Sequence, residues 1–210
     1  MTIDFDRFFG TPVAHVPGKH FIAAGCSHTS AVGVEPNQSW PQQLARLQNV
    51  SACNLAEAGG NAWIASVRIA RWLAHTGRPE YVVVQWPHPI RKVIWKNNVG
   101  HCVNVHSSAD DLFHSNLRYS ELNFWAEWMQ AIITTNTACR LAKIPCINFS
   151  IDPVDNHYKN LLTANGIQLY DDQSMWMRDR LGSDGMHNSR KCHADWAIKL
   201  QEIINATPTR

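Results

Sequence analysis

The stretch Phe21-Ile22-Ala23-Ala24-Gly25-Cys26-Ser27-His28-Thr29 decides how this chain is read. Four apolar residues run into a glycine, the composition of a short buried strand ending in a turn, and hydroxyl and imidazole side chains follow at once. Far downstream, Asp184-Gly185-Met186-His187 stands just ahead of a last helical pattern. A serine hydroxyl is a weak nucleophile until an imidazole takes its proton, and that imidazole works best when a carboxylate fixes its tautomer. Ser27, His187 and Asp184 are therefore the candidate catalytic residues, carried on two loops far apart in sequence.

Outward from that first strand, about Lys19 to Cys26, apolar runs and helical periodicities alternate. Ser39-Trp40-Pro41 opens a helix to about Gln48, with proline early in its first turn. Ala52 to Leu55 and Tyr81 to Gln85 read as strands, separated by a helix from Asn61 that stops near Gly77-Arg78-Pro79 and places Ile64, Val67, Ile69 and Leu73 on one face. Glu121 to Leu141 is a long helix, Pro145 to Ile151 a fourth strand, Asn156 to Asn165 a short helix and Ile167 to Tyr170 a fifth strand. A last helix spans about Ser189 to Asn205, with Ala194, Ile198, Leu200 and Ile203 on or near its core face. Strand and helix in alternation imply a parallel five-stranded sheet with helices on both faces. No repeat or low-complexity linker interrupts it, so residues 1–210 are expected to form one domain, with an irregular insertion at about 86–120.

The chain resembles the SGNH hydrolases, also called the GDSL esterase/lipase family, in motifs spread over nearly its whole length. The first block, Gly-Asp-Ser-x-Thr, matches Gly25 to Thr29 with Cys26 in place of the aspartate. Asn54-Leu55-Ala56-Glu57-Ala58-Gly59-Gly60-Asn61 is similar to the second block, and Asp184-x-x-His187 to the fifth. Asn188 and His193 also stand where the family commonly has Asn and Gly-His. The resemblance implies a three-layer, flavodoxin-like fold, Ser27 as nucleophile, Asp184 and His187 completing the triad, and Gly59, with Gly60 next, donating a backbone N–H to the oxyanion. The third block departs: Gln85-Trp86-Pro87-His88 replaces Gly-x-Asn-Asp, and proline offers no donor where the family has an asparagine amide. Gln85 is expected to fill that role beside the Ser27 and Gly59 N–H groups, with His88 and Arg91 as its competitors.

Each motif also has a plainer use. Ser27 and Thr29 suit a helix N-cap, Asp184 suits the start of the helix after it, and Gly59-Gly60 suits a tight turn. A cysteine nucleophile at Cys26, assisted by His28, is a further alternative. Asp171 and Asp172 are the reserve carboxylates.

Composition narrows the function. A net charge of +2 gives no electrostatic case for nucleic acid or a membrane surface. No apolar run reaches the roughly 18 residues a bilayer span needs. Met1-Thr2-Ile3-Asp4-Phe5-Asp6 is not a secretory signal, and six cysteines without a Cys-x-x-Cys pair read as free thiols; together these point to the cytoplasm. Eleven histidines, among them His88, His101, His106 and His114, show no metal-ligand spacing, so neither metal nor cofactor is expected. Of nine tryptophans, Trp63, Trp72, Trp125 and Trp128 sit on apparent helix faces and read as core, whereas Trp86 and Trp95, with His88 and Arg91, are expected against the substrate. The expected activity is a serine esterase acting on a short acyl ester of a small molecule or carbohydrate, such as a sugar O-acetyl group. The alternatives are a catalytically silent ligand-binding module on the same scaffold, or thioesterase, lysophospholipase or acyltransferase activity.

Overall fold

Phe21-Ile22-Ala23-Ala24 forms the centre of the molecule because all four side chains are completely buried, Phe21 and Ala23 on one side of the sheet and Ile22 and Ala24 on the other. The computed structural model describes residues 18–96, 99–104, 121–171 and 181–207. Its strands are β1 (His20–Ala24), β2 (Ser51–Asn54), β3 (Val82–Gln85), β4 (Arg91–Lys96), β5 (Val99–Asn104), β6 (Cys146–Phe149) and β7 (Leu169–Tyr170). Its helices are α1 (Trp40–Gln48), α2 (Ala62–His75), α3 (Glu121–Leu141), α4 (Asn156–Ala164) and α5 (Arg190–Ala206).

Five strands pair in parallel in the order β2-β1-β3-β6-β7, with Ile22 opposite both Cys53 and Val82, and Val83 opposite Ile147. This is the three-layer α/β architecture expected from the sequence. The strand order reverses between β1 and β3, and the crevice at the carboxyl ends beside that reversal is where such sheets bind ligands.

Helices α1 and α5 cover one face. Trp40, Leu44, Trp196 and Leu200 are fully buried there against Phe21, Val83 and Phe149. The α5 stripe Cys192, His193, Trp196, Ala197, Leu200 and Ile203 follows helical spacing. Ile198, expected on or near that stripe, is half exposed, because two residues from Trp196 is more than half a turn around the helix. The other face is closed by α2, α3 and α4 through Ile69, Trp72, Trp128, Ile132 and Leu162. Each large side chain removed from water here contributes about 1.5–3 kcal/mol before chain entropy is counted. Asn61 caps α2 by accepting the Ile64 N–H at 3.0 Å, and Ser189 caps α5 by accepting from Cys192.

The segment expected to be irregular contains regular structure. Strands β4 and β5 form an antiparallel ribbon, with Arg91 opposite Asn104 and Lys96 opposite Val99. An antiparallel pair needs only a tight turn, so β-branched residues close in sequence pair locally despite the polar composition around them. His106, His114 and Asp172 lie outside the described residues. No helix among the described residues is long and apolar enough to cross a membrane.

Candidate active site

Gly25 lets β1 run close beside β3 before the chain turns. A Cβ there would strike the Thr29 hydroxyl and come within 2.8 Å of the Gln85 carbonyl oxygen. The Thr29 and Ser30 N–H groups then both donate to the Cys26 carbonyl at 3.0 Å, which curls the loop and places Ser27 at the carboxyl end of β1. Beneath it lies a polar knot: Trp40 Nε1 donates to Thr29 Oγ1 (3.2 Å), and Thr29 Oγ1 donates to Gln85 Oε1 (2.9 Å). Cys26 Sγ also donates to Gln85 Oε1, at 3.4 Å. Gln85 is 1% exposed, so its oxygen is engaged in holding the serine loop. Cys26 is turned inward with it.

The glycine-containing loop after β2 is docked onto the serine loop. Asn54 Nδ2 donates to the Thr29 carbonyl at 2.6 Å, and the Glu57 N–H donates to the Gly25 carbonyl at 3.3 Å. The Gly60 N–H is taken by the Glu57 carbonyl, whereas Gly59 is exposed. Arg68 braces this loop through Glu57 (2.7 Å) and the Leu55 carbonyl (3.0 Å).

The Asp-x-x-His loop reaches the same place through Gly33. Ser183 donates to the Gly33 carbonyl through its N–H (2.8 Å) and its hydroxyl (3.2 Å). A Cβ on Gly33 would come within 2.7 Å of His187 Cβ and 3.1 Å of Asp184 Oδ1, and its φ of +86° already favours glycine. Asp184 Oδ2 lies 2.6 Å from His187 Nδ1, and its Oδ1 accepts the Met186 and His187 N–H groups at 3.0 Å each. Those two backbone donors, with the imidazole, hold the Asp184 carboxyl ionised down to about 2. The carboxylate thereby fixes the proton on Nδ1 and leaves Nε2 as the accepting nitrogen.

His28 links the serine loop to His187. Its ring centre lies 4.8 Å from that of His187, tilted by 59°, and 6.1 Å from that of Trp196. Burial is the largest cause lowering its pKa, to about 3, and His187, His193 and Arg91 act in the same direction. A neutral imidazole therefore packs against His187. Ser27 Oγ itself points toward Cys26 Sγ, 4.0 Å away. His193 Nδ1 accepts the Trp40 N–H at 3.1 Å and so ties α5 to the start of α1.

The sequence-expected site residues are thus partly gathered and partly dispersed. The serine loop, the Gly59 loop, the Asp184–His187 pair and Gln85 converge on one sheet edge. Trp86 does not join them: it is completely buried in the core, its indole N–H on Asn148 Oδ1 at 3.1 Å, so the expectation that it contacts substrate is corrected. Trp63, expected in the core, is 43% exposed and lines a cleft beside the site together with His88 and Arg91. Trp95 lies on the β4–β5 ribbon opposite Gly100. Asp171, a reserve carboxylate, is committed elsewhere, accepting the Val154 N–H (3.0 Å) and pairing with Lys159 (3.1 Å). Among the described residues no group of three or more His, Cys, Asp or Glu side chains is placed to hold a metal. The sequence assigns Gly33 no role, offers Asn54 only as the start of the second block and His28 only as an aid to Cys26; for Asn54 the signal of a loop anchor, an asparagine ending a strand before a glycine loop, is present in the chain itself.

No protein-family model matches the chain, and no curated protein matches it in sequence. Solved structures do. It is similar to the psychrotrophic esterase EstA from a Pseudoalteromonas species (TM-score 0.57, 11% identity, 90% of this chain and 100% of that one). The aryl esterase of M. smegmatis superposes with a TM-score of 0.58 at 12% identity, over 90% of this chain and 99% of the other. An acetyl xylan esterase from the rumen bacterium Butyrivibrio proteoclasticus gives 0.56 at 12% identity; 93% of this chain spans 65% of that one. At these identities the likeness concerns the backbone alone. The chain therefore has the SGNH hydrolase fold.

Proposed function

We propose that this protein is a serine esterase of the SGNH type that hydrolyses a short acyl ester, an O-acetyl group on a carbohydrate being the representative substrate. The observation that carries the reading is the Asp184–His187 pair, joined at 2.6 Å and docked through Gly33 onto the loop that bears Ser27. The likeness to an acetyl xylan esterase supports the choice of acyl group.

In this mechanism Ser27 Oγ rotates from Cys26 toward His187, loses its proton to His187 Nε2 and attacks the ester carbonyl. Asp184 stabilises the imidazolium that forms. The tetrahedral oxyanion is held by the Ser27 and Gly59 N–H groups, the Gly60 N–H being engaged with Glu57. The Gln85 amide nitrogen is the third donor in this scheme, its oxygen being fixed by Thr29 and Cys26. The imidazolium then protonates the leaving alkoxide, and an acyl-serine remains. Water, deprotonated by the same imidazole, releases the carboxylic acid and restores Ser27. His88 and Arg91 contact the substrate from the adjacent cleft. No step calls for a cofactor.

A second reading, a silent binding module, is favoured by Pro87, which stands where the family's asparagine donor belongs. Labelling with a fluorophosphonate probe separates the two. The esterase reading expects a covalent adduct on Ser27, and loss of both labelling and p-nitrophenyl acetate hydrolysis in Ser27→Ala, by roughly a thousandfold or more. Absence of any adduct on the folded protein favours the binding module, and an adduct on Cys26 moves the nucleophile there.

A further inference from the structure

Beside the Gly59–Gly60 turn lies a small cleft of about 20 Å³, walled by Asn61, Trp63, His88, Arg91, Glu127 and Trp128. Neither Ser27 nor His187 lines it. Its size suits one substituent of a substrate better than a whole ligand. Arg91, the first residue of β4, is among its lining side chains.

The Arg91 guanidinium is the unexplained group. Its Nη1 is fully buried and donates to nothing. Among the described residues Arg91 forms no ion pair, whereas Arg68, Lys159 and Lys199 each have a carboxylate. A guanidinium does not shed its proton, so this charge persists at every relevant pH. A buried donor left without an acceptor costs about 1–3 kcal/mol, more when charged, and a partner recovers that cost. Glu127 is the opposing charge in the lining; it is exposed and has an interaction of its own. His88 Nδ1 accepts the Ile90 N–H at 3.3 Å, which puts the ring proton on Nε2. The first turn of α2, at Asn61-Ala62-Trp63, opens on the same space and adds the positive end of the helix dipole.

We propose that this cleft takes a carboxylate carried by the ester substrate, with Arg91 as its counter-ion. The proposal rests on the esterase reading above and gives the substrate a chemical class: an acidic ester. A carboxylate fits better than a phosphate. Its two oxygens match one guanidinium edge, its single charge matches a single arginine, and the aromatic walls supply no further cation. The field of Arg91 also reaches the neighbouring catalytic loop, since it is one of the charges that keep His28 neutral.

The test compares kcat/KM for neutral p-nitrophenyl acetate with that for two acidic esters, p-nitrophenyl hemisuccinate (acid on the acyl side) and 4-acetoxybenzoate (acid on the alcohol side). The wild type should favour one acidic ester relative to Arg91→Gln, the acidic-to-neutral ratio falling about 10- to 100-fold in the variant, with Arg91→Lys between them and the ratio shrinking as salt is added. Melting temperature checks that both variants are folded. A second measurement needs no turnover: benzoate binding to Ser27→Ala by calorimetry, expected to weaken by a similar factor when Arg91→Gln is added. Equal ratios for both acidic esters in wild type and Arg91→Gln, with benzoate binding unaltered, overturn the proposal. Failure of wild type to hydrolyse any ester, with benzoate binding lost in Arg91→Gln, supports the carboxylate site and refutes the esterase reading instead.

Discussion

His28 makes the stability of this protein depend on pH by an amount that follows from its burial. The imidazole is 7% exposed, its Nδ1 has no hydrogen-bond partner, and its pKa falls from an ordinary 6.5 to about 3 in the folded state. Below pH 6.5 the unfolded chain takes up a proton here that the folded chain refuses, so stability is complete above that pH and declines as pH falls toward 3. From pH 7 to pH 5 the unfolded imidazole becomes almost fully protonated while the folded one stays neutral. At about 1.4 kcal/mol per pH unit of protonation difference, this one residue costs the native state about 2 kcal/mol across that window. The window lies well above 3, so the result hardly depends on how far the folded value falls. His28→Phe keeps an aromatic ring between His187 and Trp196 but removes the titration and the unpartnered nitrogen. Urea unfolding of both proteins at pH 7 and pH 5 measures the effect. The wild type should lose about 2 kcal/mol more than the variant between the two pH values. Equal losses, within about 0.5 kcal/mol, would show that His28 is free to protonate in the folded protein and refute the reasoning.

His28, held near 3, should add no step of its own to the pH profile of esterase activity above pH 5; a step in that range that vanishes in His28→Phe would show that this imidazole ionises in the folded protein. Asp184→Asn keeps the shape of the loop but removes the acceptor for the proton on His187 Nδ1, so kcat should fall by on the order of 10³- to 10⁴-fold in initial-rate measurements, and near-normal turnover would remove Asp184 from the triad. Gly33→Ala should lower kcat by roughly a hundredfold, because its methyl group displaces the Asp184–His187 loop that Gly33 carries; unchanged rates would mean that the loop is positioned by other contacts.

Much of this site was present in the chain because it is written in short local patterns. An apolar tetrapeptide followed by Gly25 and Ser27 specifies a strand and its exit turn without reference to anything distant. Asp184-x-x-His187 specifies its own geometry, since a carboxylate three residues ahead of a histidine reaches both the imidazole and the intervening N–H groups. The helix at Glu121–Leu141 was legible to the residue. By contrast, Trp86 read as a substrate contact because it follows the third strand, yet its burial depends on Asn148, some sixty residues away, and on the core it shares with α3. Trp63 and Trp128 share one sequence pattern, but which of the two meets solvent depends on how α2 and α3 pack.

The sequence alone determined the alternation of strands and helices, the parallel sheet and the three side-chain types of the proposed triad, because each follows from spacing within a few residues. Only the tertiary structure decided that Gly33 carries the Asp184–His187 loop, that His28 is pressed against His187, that Gln85 turns its oxygen to Thr29 and Cys26, and that Arg91 Nη1 is buried without an acceptor. Those facts concern which distant groups share a low-dielectric space, and neither burial nor the partner of a polar atom is a property of a segment by itself.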